Sequence, residues 1–222
     1  MAASRRQQIR RSILDAAIIE FSRNGLEGTS TQAIADRAGL TKPQLHYYIS
    51  SKEELYDEAL QFIVAEWKHI FFMSTESDAD PAHVIVSYVT RKIRHAIERP
   101  EVARLFAREV ARGATALSRH WDDLAASVDQ STAIIQSWID QGLIRELDPL
   151  IFQMNIWAAT EYFAEHGAQA RYLLGVSDGE ALDADRLIRE TAELFLARAG
   201  LSAPDDRNAS AMGTSEGGTS DP

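Results

Sequence analysis

Apolar residues recur along most of this chain at three- and four-residue spacing, and strict alternation is absent. That is the period of helices that turn one face to a core. The spacing predicts a first helix from about Arg5 to Arg23, with Ile9, Ile13, Ala16, Ala17 and Phe21 inward and Gly25 as its stop. A second covers Thr31–Ala38, with Ala33, Ile34 and Ala38 inward, and ends at Gly39. Thr41-x-x-Gln44 is a capping box that opens a third, with Pro43 in the first turn, where its missing N–H costs nothing. Ser51-Lys52-Glu53-Glu54 repeats the signature and starts a long helix to about Met73.

A small, polar spacer over Ser74–Asp80 follows. Pro81 restarts a helix that stops before Arg99-Pro100, and Pro100 begins another to about Arg112. Gly113 separates it from a long helix ending at Gly142. Asp148-Pro149 caps a helix to about Leu174, and the last runs from Asp183 to Ala199 and stops at Gly200. Residues 203–222 hold no branched aliphatic or aromatic side chain, cannot offset the entropy of ordering, and are expected to be disordered. The fold class expected is all-α, with no internal repeat.

Composition narrows the chemistry. The chain has 222 residues and no cysteine, which excludes a disulfide scaffold, a thiolate metal site and a cysteine nucleophile. The longest charge-free apolar stretch, Pro149–Thr160, is too short to span a bilayer, and acids interrupt the apolar run after the basic start. A soluble, cytoplasmic protein without membrane association is expected. The net charge of −10 is unevenly spread: residues 1–52 carry eight Lys/Arg against four Asp/Glu, and the remainder is −14. A basic head on an acidic body implies that only the head meets an anion.

The second and third helices, joined at Gly39-Leu40-Thr41, have the spacing of a DNA-binding helix-turn-helix. On the third, Leu45 and Ile49 are expected inward, with Lys42, Gln44, Tyr47 and Tyr48 outward. Lys42 suits phosphate or guanine, Gln44 adenine, and the tyrosines phosphates. Lys52 adds charge at the start of the next helix. Ile13-Leu14-x-Ala16-Ala17-x-x-x-Phe21-x-x-x-Gly25, Thr29, Ile34-Ala35, Ala38-Gly39-Leu40-Thr41-Lys42, Leu45-x-Tyr47-Tyr48 and Ser51-Lys52-Glu53-x-Leu55 resemble the N-terminal domain of TetR-family transcriptional regulators. His46 departs from the tyrosine common there, and Ile49 from the usual phenylalanine. The resemblance implies a three-helix DNA-binding domain over 1–52 and a helical ligand-binding and dimerisation domain over 53–200. The DNA-facing set is then Thr29, Thr31, Thr41, Lys42, Gln44, His46, Tyr47, Tyr48 and Lys52.

Arg99-Pro100-Glu101-x-Ala103-Arg104-Leu105-Phe106, Asp148-Pro149-x-x-x-Phe152 and Ile156-Trp157-Ala158-Ala159-Thr160-x-Tyr162 resemble the ligand domain of the pyrimidine-utilisation repressor group. Trp67, Phe106, Glu109, Trp157 and Glu161 are the candidate ligand residues: aromatic planes and carboxylates clamp a flat, N–H-rich heterocycle. The bland reading makes the aromatics core and pairs the acids with Arg104, Arg108 or Arg112. The resemblance implies a repressor acting as a homodimer on duplex operator DNA and released by a small effector of nucleobase type, with no cofactor and no metal. Apolar stripes at Ile151, Met154, Ala158, Tyr162 and at Leu187, Thr191, Leu194, Ala197 are the candidate dimer face. The competing reading is a helical metal- or ligand-binding protein, catalytic or not, whose basic head is a structural appendage. A catalytic site finds little support: Gly213-x-Ser215-x-Gly217 lacks the strand–turn–helix a nucleophile elbow needs, and Glu66-x-x-His69 has no second copy.

Overall fold

A computed structural model describes residues 2–70, 80–177 and 179–204. Within them lie ten α-helices and no strand: α1 (Ala2–Gly28), α2 (Thr31–Arg37), α3 (Lys42–Tyr48), α4 (Lys52–Ile70), α5 (Pro81–Glu98), α6 (Pro100–Ala111), α7 (Trp121–Asp140), α8 (Pro149–Glu165), α9 (Gly167–Leu173) and α10 (Ala184–Ala199). The end of the fourth helix near Met73, the spacer before Asp80, and the disorder expected from residue 205 onward lie outside the described residues.

Local chemistry explains the boundaries. Gly25 takes φ +70° and breaks α1, as its position predicts. Gly39 takes φ +70° just past α2, which lets the Leu40 N–H reach the Ala35 carbonyl at 2.9 Å and close the helix end. Asp80, Asp148 and Asp183 cap α5, α8 and α10 through their side chains.

Two predicted spans break up. The expected long helix after Gly113 begins only at Trp121, preceded by a single 3₁₀ turn at Ser118–His120. Gly113 at φ +94° and Ala114 at φ +55° turn the chain there. The helix from Pro149 stops at Glu165, because His166 leaves helical geometry at φ −109°, ψ 26°, and α9 follows. On α2 the inward pair is Ile34 and Ala35, whereas Ala33 and Ala38 are half-buried.

The core forms two large clusters. The first joins α1–α4 to α6 and the start of α7, from Ile13 and Phe21 through Leu45, Leu60 and Trp67 to Leu105 and Leu124. The second joins α5, α7, α8 and α10 around Ile85, Tyr88, Trp138, Ile156 and Phe195. The helix α4 starts beside the head and runs on into the body, and α1 packs against both α4 and α6. Head and body therefore share one continuous apolar core across the boundary at residue 52.

Candidate nucleic-acid interface and effector site

The helix α3 is seven residues long, too short to stand alone in water. Two devices hold it. The Thr41 side chain accepts from the Gln44 N–H while the Gln44 Oε1 accepts from the Thr41 N–H at 2.8 Å, closing the capping box. Leu45 is wholly buried, and Ile49 is half-buried beside it. Lys42, Gln44, His46 and Tyr47 are exposed, Tyr47 by 75%. A rigid helix thus presents a cation, an imidazole and a phenol to the outside.

Three expected DNA contacts, Thr29, Tyr48 and Lys52, are placed differently. Thr29 is buried, and its hydroxyl donates to the Gly25 carbonyl at 2.7 Å and lies 3.2 Å from that of Glu20. It fixes the turn between α1 and α2 and does not face outward. Tyr48 is half-buried against the first core cluster, its ring edge-on to Tyr47 at 5.2 Å. Lys52 sends its ammonium to the Thr29 carbonyl at 3.1 Å, tying α4 to that same turn. The Gln44 acceptor is engaged in the cap, so base reading through that oxygen competes with helix capping. Thr31, half-buried, begins α2 behind the Ser30 cap.

The head's basic charge is partly neutralised by internal pairs. Arg37 meets the buried Glu20 at 2.6 Å, Arg10 meets Glu58 at 3.0 Å, and Arg11 meets Asp15 at 3.1 Å. Arg5, Arg6 and Lys42 are exposed and have no ion pair among the described residues.

The expected ligand residues fall into separate groups. Trp67 is buried in the first cluster and rests on Phe106 with ring centroids 4.1 Å apart. Glu109, also buried, accepts from the Tyr56 hydroxyl at 2.8 Å and from the Ala116 N–H at 2.9 Å. Burial and this carboxylate together push the Tyr56 hydroxyl pKa well above its usual range. Trp157 packs against the second cluster, and Glu161 stands one turn further along α8. The Trp157 indole N–H donates to the Tyr88 hydroxyl at 2.6 Å, and Glu161 lies 3.3 Å from the Lys92 ammonium. Two of the three arginines expected as partners for Glu161 are engaged elsewhere: Arg104 donates to the Ala164 carbonyl and Arg108 to that of Arg23.

Lys92 and Tyr88 are the site residues that the sequence reading missed. Lys92 is 1% exposed, and burial pushes its pKa down to about 8 although the Glu161 charge pulls it back toward normal. The signal was present: a lone cation stands in the α5 stripe Ile85, Tyr88, Val89, Lys92, Ile93, Ala96. A charge on a buried face asks for a partner. The arrangement gathers an indole, a phenol, an ammonium and a carboxylate, which can stack on a planar solute and match both its donors and its acceptors.

A family model described as bacterial regulatory proteins, tetR family, matches residues 13–59, and one described as YcdC-like protein, C-terminal region, matches residues 60–202. The chain belongs to the tetR family of bacterial regulatory proteins. The HTH-type transcriptional regulator RutR of Escherichia coli strain K12 is 33% identical over 169 residues, 76% of this chain and 79% of the relative. The HTH-type transcriptional repressor SCO4008 of Streptomyces coelicolor is 25% identical over 164 residues, 71% of this chain and 82% of the relative. The crystal structure of AibR in complex with isovaleryl coenzyme A and operator DNA superposes with a TM-score of 0.64 at 17% identity, covering 84% of this chain and 97% of that one. That likeness establishes the fold. The protein is a DNA-binding transcriptional regulator of this family, not an enzyme, and no helix among the described residues is long and apolar enough to cross a membrane.

Proposed function

We propose that the protein is a ligand-responsive repressor that binds operator DNA in the cytoplasm as a homodimer. Each α3 enters a major groove with Lys42, His46 and Tyr47 leading, and a small flat heterocycle of nucleobase type, held in the body beside Trp157 and Glu161, lowers that affinity. The observation that carries the DNA reading is the division of α3: one wholly buried side chain, Leu45, against a cationic and aromatic outer face locked by a complete capping box. Residues 1–52 form the reading domain in this account and 53–200 the ligand and dimer domain.

Support for the dimer comes from an uncovered apolar face. Ile151 and Met154 on α8 and Leu194 on α10 are 50%, 46% and 62% exposed, and Ile151 and Leu194 line a groove of about 430 Å³. Two helices from each chain then form a self-complementary bundle. Leu187, expected on that face, is buried in the protomer's own core and takes no part. Support for the effector comes from Lys92 and Glu161: a buried ammonium and a carboxylate one-third exposed are matched to each other, and a ligand carrying N–H and C=O groups can replace that match. AibR is a solved case in which one fold of this kind holds both a small molecule and operator DNA.

The experiment has two arms. Genomic fragments selected on the protein give the operator, and its affinity is then measured against salt and against uracil, thymine, guanine and xanthine. Binding should weaken with a slope near −0.9 per phosphate neutralised, and one of the bases should raise the dissociation constant at least tenfold. Affinity that is flat in salt rejects the DNA reading. Calorimetric silence with all four bases up to millimolar concentration rejects the nucleobase and leaves the DNA reading intact.

A further inference from the structure

The motif Arg99-Pro100 lies at the corner between α5 and α6, and DNA recognition by α3 does not use it. Pro100 disfavours helical geometry in the residue before it. Arg99 accordingly sits at φ −134°, ψ 56°, with its N–H on the His95 carbonyl. Its guanidinium is thereby held at a fixed corner and reaches three carboxylates. Nη1 meets Glu66 of α4 at 2.5 Å, Nη2 meets Asp15 of α1 at 3.5 Å, and Nε lies 3.8 Å from Glu101. His95, one turn earlier, places Nε2 3.7 Å from the other Glu66 oxygen, and Arg11 and Arg99 both lie over the Phe62 ring. Burial alone would raise the Glu66 pKa, yet the imidazole and the guanidinium together hold it below the usual carboxylate range.

The two helices gripped in this way both carry the head. Glu66 stands fourteen residues after Lys52 on an unbroken helix, a lever of ~21 Å. At the other end, Tyr88, Lys92 and His95 follow at i, i+4 and i+7 along one face of α5, and Arg99 is the residue that ends the helix, its N–H bonded to the His95 carbonyl. The Lys92–Glu161 pair and the Arg99 clamp are therefore linked by a single rigid element. Any displacement of α5 at Lys92 moves the anchor points of α1 and α4 together.

We propose that Arg99 is the positioning residue that sets the angle of the DNA-reading head against the body, and that α5 transmits effector occupancy to it. The transmission half rests on the effector reading given above. The positioning half does not, and it is tested without any effector.

The chain has no cysteine, so Gln32→Cys on α2 and Gln130→Cys on α7, both exposed, take a donor–acceptor dye pair cleanly. Labelled chains are mixed with an excess of unlabelled protein, so that each assembly carries one pair. Single-molecule energy transfer then reads the head-to-body distance. Arg99→Ala should broaden that distribution and raise the operator dissociation constant roughly tenfold in protein that remains folded. Arg99→Lys, which keeps a charge for Glu66 but loses the fork, should recover part of both. Glu66→Gln, which keeps the shape, should act like Arg99→Ala, and the two changes together should do no more than either alone. A distance distribution of unchanged width in Arg99→Ala and Glu66→Gln overturns the proposal. So does a loss of DNA affinity that follows only the unfolded fraction. Failure of every nucleobase to alter DNA binding would remove the effector reading and leave this result standing.

Discussion

Replacing Lys92 by methionine tests the physical character of the body cluster most directly. The amine is 1% exposed and titrates near 8, against 10.5 in an unfolded chain. Between those two values the unfolded chain still binds a proton that the folded protein has released. Stability therefore rises as pH increases from 8 to 10.5, is fully gained above that window, and is lost again as pH falls from 10.5 to 8. Two and a half pK units correspond to on the order of 3 kcal/mol. Methionine fills a similar volume and binds no proton, and the Glu161 left behind is 31% exposed and can hydrate. At pH 7 Lys92→Met should accordingly be at least as stable as the parent, by up to about 3 kcal/mol, and the difference should shrink toward zero by pH 10. Urea unfolding followed by tryptophan fluorescence at pH 7, 8, 9 and 10, at one fixed protein concentration, measures it. The difference between the two proteins cancels the buried tyrosines and every other titrating group. A difference that stays constant across pH 7–10, or a methionine protein several kcal/mol weaker throughout, would refute the assignment of a desolvated lysine.

Three other outcomes follow from the geometry. Thr41→Ala removes the α3 cap at a cost of about 1 kcal/mol, lowering the melting temperature by roughly 2–4 °C, and operator affinity should drop several-fold at a temperature where circular dichroism still reports a folded chain; undiminished binding would mean that the cap is not needed by the reader. Lys42→Ala should leave the melt unchanged and reduce the salt slope of binding, read by fluorescence anisotropy, by about one, whereas an unfolded variant would contradict the exposed position. Leu194→Glu should keep its helical content and sediment as a species of about 25 kDa at micromolar concentration; a persistent dimer would put the interface elsewhere.

Features set by neighbours in the chain were readable from the residues. Thr41 with Gln44, Asp148 with Pro149, and Gly200 after Ala199 each settle a helix end within one turn, and each end falls where the sequence places it. Features set by distant partners were not. Glu161 was matched to arginines on the helix after Pro100, yet its partner is Lys92 on α5, because nothing in the residues says which helix lies beside α8. Tyr48 read as outward because a helical repeat gives a face only to within about one residue, and its ring packs on the core; Thr29, taken as a DNA contact from the family resemblance alone, is engaged in the turn after α1. Trp67 and Trp157, expected to close on one ligand, settle in different clusters because α4 packs with α1 and α6 while α8 packs with α5. The break at His166 is followed at once by Gly167, a local signal that the expected helix to Leu174 ran through.

The way α3 is fastened also bears on how such a regulator diverges. The inward side chains Leu45, Tyr48 and Ile49 and a cap built from Thr41 and Gln44 hold the element in place, so positions 42, 46 and 47, which are exposed, contribute little to folding. A duplicated gene can exchange those three codons freely, and each exchange offers selection a new operator preference at no loss of protein abundance. Position 44 is different, because changing it surrenders half of the cap. Drift at 42, 46 and 47 alongside a retained Gln44 is the pattern that paralogues sharing this scaffold would leave.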